Sequence, residues 1–158
     1  MGLDAQVKCD CFEKGALKTQ PRPEWKVYVH PDGGRATEAD TLEMELLFDR
    51  WNRVACEHEF GTFFYRPIGN VSLVGTLRRL LSERPEEFRI LLENVLYNGT
   101  HGGDFLPIEQ VKELQIEVER LSKFNAQDSE KEKHLRAFET TMRELVECAL
   151  KLNKPLVF

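Results

Sequence analysis

The hydrophobic pattern of this chain changes period partway along, and that change limits the fold more than any single motif. Residues 3–12 alternate: Leu3, Ala5, Val7, Cys9 and Cys11 fall on one side, and Asp4, Gln6, Lys8, Asp10 and Phe12 on the other. A period of two belongs to a strand with one buried face, so the spacing predicts a strand over residues 2–12 with its first face in the core. From Met44 the period lengthens. Met44, Leu47, Phe48, Trp51, Val54 and Ala55 recur at three- and four-residue steps, the stripe of an amphipathic helix. The same steps return in Val111, Leu114, Val118 and Leu121, and again in Leu135, Phe138, Met142, Leu145, Ala149 and Leu152. Two such stripes in succession predict a C-terminal helical hairpin or short coiled coil.

The remaining segments fit between these anchors. Trp25 to Val29 reads as a short strand closed by the turn His30-Pro31-Asp32-Gly33-Gly34. Thr62 to Arg66, with Phe63, Phe64 and Tyr65, reads as another, and residues 154–158 as a final one. Thr37 with Asp40 is a plausible cap for the first long helix, Asn70 for a helix over 71–81, and Ser129 with Glu132 forms a capping-box pattern for the last. Pro85 suits the first turn of a helix that turns Phe88, Leu91, Leu92, Val95 and Leu96 inward. The expected fold is α+β: a small, mostly antiparallel sheet covered by about five helices. Residues 1–158 read as one domain, with an α+β core over 1–106 and the hairpin of 107–153 packed on it.

Composition excludes several classes. Ten Phe and a 41% hydrophobic content exclude intrinsic disorder. With 22 basic against 27 acidic residues, the net charge of −5 supplies no basic face for nucleic acid. No run approaches the ~18 uncharged apolar residues of a membrane span. No basic stretch followed by an apolar one opens the chain, so a cytoplasmic protein with reduced thiols is expected.

Two groups of residues carry chemistry. The first is Cys9-x-Cys11 near the start together with Cys56-x-His58 after the first long helix. In extended backbone each pair points to one side, and three thiolates with one imidazole are the ligand set of a tetrahedral zinc site. The competing reading is plain burial, because free cysteine behaves as a small hydrophobe and the alternation asks for apolar residues at Cys9 and Cys11. Cys148, beside the stripe of the last helix, reads as core.

The second is the loop Asn98-Gly99-Thr100-His101-Gly102-Gly103-Asp104. Asn98, Gly99, Gly102 and Gly103 permit left-handed backbone, so their amides could converge on an anion next to the helix starting near Pro107. His101 would then serve as general acid or base, oriented by Asp104. The alternative is a helix C-terminal cap and connector.

The opening Met1-Gly2-Leu3-Asp4-Ala5, the tetrad Cys56-Glu57-His58-Glu59 and the loop Asn98-Gly99-x-x-Gly102-Gly103 resemble a family of small bacterial proteins with no assigned function. The resemblance implies a soluble bacterial protein and carries over no activity. The expected function is non-enzymatic protein binding or regulation, through a protein partner or a homo-oligomer. The alternative is a small enzyme, metal-dependent at Cys9, Cys11, Cys56 and His58 or His-dependent at His101.

Overall fold

A computed structural model describes residues 2–97 and 101–158. It is α+β, with four strands in one antiparallel sheet, a separate two-stranded hairpin and a largely helical second half. The main sheet has the order β4-β1-β6-β5, formed by β1 (Gly2–Lys8), β4 (Thr62–Asn70), β5 (Phe105–Leu106) and β6 (Leu156–Val157). The C-terminal segment thus lies between the first strand and a two-residue strand that precedes the hairpin of long helices. β2 (Tyr28–Val29) and β3 (Arg35–Ala36) pair only with each other.

The alternation of β1 is kept where it matters. Leu3, Ala5 and Val7 are buried, and Asp4, Gln6 and Lys8 face outward or lie half-buried. Against this face pack α2 (Val71–Leu81) and α4 (Ser129–Leu152), and α3 (Ile108–Leu121) lies along α4. Val111, Leu114, Val118 and Leu121 of α3 and Leu135, Phe138, Met142, Leu145 and Ala149 of α4 are buried, so the three-and-four spacing is the inner seam of a hairpin. Glu117 is buried on the same seam, where its carboxylate accepts hydrogen bonds from the Ile90 and Leu91 amides. Those are free amides at the start of the helical segment that ends in the π turn Leu91–Val95, and a carboxylate there satisfies them.

Several boundaries move. β1 ends at Lys8 instead of running to residue 12, and Cys11 starts a turn. The cause is visible in the pairing with β4: Lys8 faces Thr62, the first residue of β4, so the chain beyond Lys8 has no further strand residue of β4 to pair with. Trp25 belongs to the 3-10 turn Pro23–Trp25, so the expected strand over 25–29 shrinks to β2, outside the main sheet. α1 (Leu42–Val54) is capped by Thr41, whose hydroxyl accepts from the Met44 amide, and not by Thr37, which donates to the Trp25 carbonyl. α4 is capped by Asp128, one residue before the expected Ser129. Glu132 instead accepts from the Ala126 amide. Asn70 does cap α2, accepting from Leu73.

A second, smaller hydrophobic cluster stands apart from the main core. It contains Trp25, Phe48, Trp51 and Ala55, with Leu17, Val27, Met44 and Leu47 at its margin. It joins α1 to the irregular chain that follows β1.

Candidate metal centre

The end of β1 and the end of α1 meet beside the second cluster. The Cys9 amide donates to the Gly61 carbonyl at 2.8 Å, which extends the β1–β4 ladder by one bond and fixes the Cys9 side chain. Cys11 opens a turn closed by the Ala16 amide, which donates to the Cys11 carbonyl at 2.8 Å. The Lys18 amide donates to the Ala55 carbonyl at 2.7 Å and holds the end of α1 against this chain. These bonds bring Cys9, Cys11, Cys56 and His58 together.

Cys9 Sγ lies 3.8 Å from Cys56 Sγ, and Cys11 Sγ lies 3.3 Å from His58 Nδ1. All four ligand atoms lie within 4.8 Å of one another. At a tetrahedral zinc ion, with Zn–S about 2.3 Å and Zn–N about 2.0–2.1 Å, neighbouring ligand atoms lie roughly 3.5–3.8 Å apart. The observed cluster reaches that shape with shifts of roughly 1 Å, the wider pairs closing and the Cys11–His58 pair opening slightly. All four cysteines of the chain are free thiols. The CxC and CxH pairs lack the tight C-x₂-C turn. Here each pair contributes one buried and one half-buried ligand, and the two pairs close on each other face to face.

Burial alone does not explain the placement. Cys9 and Cys56 are buried yet belong to neither hydrophobic cluster, whereas Cys148 packs against the main one. Cys11 is only half-buried, against the expectation that it faces the core. Charge also points to a site. Arg35 Nη1 donates to Cys56 Sγ at 3.5 Å, and Arg35 Nη2 donates to the Asn52 carbonyl at 3.1 Å. Zinc with three thiolates carries one net negative charge, which this guanidinium would offset. Burial pushes the Cys9 thiol up, and burial with the adjacent Cys9 thiol pushes Cys11 up to about 12. Burial also raises Cys56, but the His58 backbone and Arg35 outweigh it and leave that thiol below its ordinary value. Without metal, the group therefore holds one thiol biased to ionise and two biased to stay protonated.

Sequence reasoning missed Arg35 and Gly61. Gly61 has φ +64°, and a Cβ there would come 2.8 Å from Arg35 Nη2. Glycine lets the chain turn and leaves room for the guanidinium. The local signal is weak: Gly61 is a single glycine after the first helical stripe, and Arg35 is one charged residue next to a glycine-rich turn. His58 is flanked by Phe63, with ring centroids 5.1 Å apart.

The other expected site is arranged differently. Asn98 and Gly99 lie outside the described residues, and Gly102 and Gly103 are exposed. The His101 side chain, read as a general acid or base, is only 11% exposed. Its ring lies between Tyr97 and Phe158, with centroids 4.4 and 5.3 Å away. Nε2 is 3.0 Å from the Val95 carbonyl oxygen, an interaction that satisfies the end of the helical segment. Nδ1 lies 3.5 Å from Asp104 Oδ2, too long for a firm hydrogen bond. That carboxylate accepts from the Tyr97 hydroxyl at 2.7 Å, which holds the phenol above its ordinary range. An adjoining cleft of about 360 Å³ is lined by Glu93, Asn94, Tyr97, Asp104, Phe105, Leu106 and Phe158. Its two carboxylates disfavour an anion.

Among the described residues, no helix is long and apolar enough to cross a membrane. No protein-family model matches the chain, nor does any curated protein or solved structure.

Proposed function

We propose that Cys9, Cys11, Cys56 and His58 bind one zinc ion that fastens the second hydrophobic cluster to the main sheet, in a non-enzymatic protein that acts through a protein partner. The observation that carries the zinc reading is the convergence of these four ligand atoms within 4.8 Å from two distant chain segments. Four protein ligands complete a tetrahedral shell and leave no open position for a water or substrate, which is the pattern of structural rather than catalytic zinc. The neighbouring Arg35 supports an anionic zinc–thiolate centre. A neutral core would gain nothing from it. Exposed Phe60, Phe63 and Tyr65, on the chain leaving the centre, support the partner reading, since clustered exposed aromatics suit protein contacts. Of the islands that resemble small bacterial proteins, the Cys56-Glu57-His58-Glu59 tetrad holds two of the ligands.

Elemental analysis of protein purified without chelator tests this reading. About one zinc per chain, lost in Cys56→Ser, is the expected result. No zinc, together with no uptake of zinc added at neutral pH, would leave the four residues as packing. A second reading, catalysis by His101 with Asp104, is favoured only by their 3.5 Å approach.

A further inference from the structure

We infer that the zinc centre is sensitive to oxidation: a peroxide joins Cys56 to the Cys9–Cys11 segment through a disulfide and expels the metal. This rests on the zinc reading and names the regulation of that site. Geometry supplies the first argument. Cys11 Sγ and Cys56 Sγ lie within 4.8 Å of each other although they come from distant segments, so a bond of about 2.05 Å requires those segments to close by less than about 3 Å. The pairing is set by position. Cys9 and Cys11 are separated by one residue and form a strained ring if bonded to each other, and Cys148 packs against the main core. Cys56 is the partner that remains.

Access supplies the second argument. Of the three clustered cysteines, Cys11 is half-buried while Cys9 and Cys56 are buried, and exposure governs which thiolate an oxidant reaches first. The Cys11 sulfur attacks hydrogen peroxide, the O–O bond breaks, hydroxide leaves, and Cys11 becomes a sulfenic acid. The Cys56 thiolate then attacks the Cys11 sulfur, the S–O bond breaks, and a second hydroxide leaves. The two sulfurs give up two electrons to the peroxide, and two solvent protons convert the hydroxides to water. Zinc stays divalent throughout. With only Cys9 and His58 left as ligands, it departs.

The consequence for structure follows from the same residues. Arg35 touches both Cys56 and the face of Trp51, 5.5 Å from its centroid, so loss of the metal disturbs the second cluster directly. Both tryptophans of the chain, Trp25 and Trp51, lie in that cluster. Their emission therefore reports on it alone.

The test uses the full chain loaded with zinc, with stoichiometry measured before any oxidant is added. Failure to load zinc would count against the metal reading, and the oxidation steps below are scored only on loaded protein. Hydrogen peroxide is then added with a zinc-binding dye, and the product is digested with trypsin without reduction. The expected result is release of about one zinc per chain, with peptide Cys9–Lys14 joined to peptide Val54–Arg78 and zinc binding restored by a dithiol reductant. Cys148→Ser should behave the same. Zinc retained under peroxide, release with Cys11 carried to the sulfinic acid and no joined peptides, or loss of the response in Cys148→Ser would each overturn the inference.

Discussion

The two hydrophobic clusters differ in how they are held. The main core runs from Leu3, Ala5 and Val7 of the sheet through Leu77 and Leu81 of α2 to the α3–α4 seam, and many of its side chains are fully enclosed. It closes by area. The second cluster has four buried members, and three of them, Trp25, Phe48 and Trp51, still keep a few per cent of their surface exposed. Its rings touch at 5.6–6.4 Å in tilted and edge-on arrangements, each such pair worth about 0.5–1.5 kcal/mol beyond burial. So small a core falls below the size at which packing alone suffices, and small units of this kind are generally stapled by metal or disulfide. Here Cys9 and Cys11 come from the main sheet's side and Cys56 and His58 from the end of α1. The four potential ligands thus sit where the packing is thinnest.

Metal removal should separate the two regions by the widest margin. Structural zinc sites contribute apparent free energies on the order of 10 kcal/mol at neutral pH, far more than four side chains supply. Chelation is expected to red-shift tryptophan emission while far-ultraviolet dichroism keeps most of the helical signal of α2, α3 and α4. Simultaneous loss of both signals would mean a single cooperative unit and break the comparison.

Leu145→Ala attacks the other side. Leu145 is fully enclosed in the seam, so its truncation should cost about 2–5 kcal/mol in denaturant unfolding. Zinc stoichiometry in the folded protein should be unchanged. Arg35→Met removes the guanidinium beside Cys56 and is expected to weaken zinc affinity by about 10–100-fold in competition titrations, as loss of supporting groups around a metal does. Helix content should not change. Gly61→Ala places a methyl against that same guanidinium at positive φ, and the backbone alone should cost about 1–2 kcal/mol. Its effect should appear in zinc affinity and tryptophan emission before it appears in the main core.

The smallest effect is one of pH. Burial raises the Cys9 and Cys11 thiols, so each must give up its proton when metal binds. Zinc affinity should therefore rise as pH increases through neutrality and fall in acid. A flat profile in a pH series of competition titrations would show that the thiols are not ligands.

Local patterning made the main core legible and left the centre half-read. Val111 to Leu121 and Leu135 to Ala149 announce their buried face by spacing alone, because a helix converts sequence period directly into direction. Cys9 and Cys11 share the period of β1, and so they also read as core. The end of the strand at Lys8 is set by where its partner β4 begins, at Thr62, 54 positions along the chain, which no local pattern records. The ligand set was readable as residue types, but its closure depends on bonds such as Cys9 to Gly61 and Lys18 to Ala55. His101 shows the opposite case. Its glycine-rich setting suggested an open loop, yet the ring is enclosed by Tyr97 and by Phe158, a contact that depends on β6 entering the sheet.

The most direct test of the central claim is zinc K-edge X-ray absorption on the zinc-loaded protein. Three sulfur neighbours at about 2.3 Å and one nitrogen at about 2.0–2.1 Å are expected, with one sulfur lost in each of Cys9→Ser, Cys11→Ser and Cys56→Ser. A first shell dominated by oxygen, or a spectrum unchanged by all three substitutions, would contradict the claim.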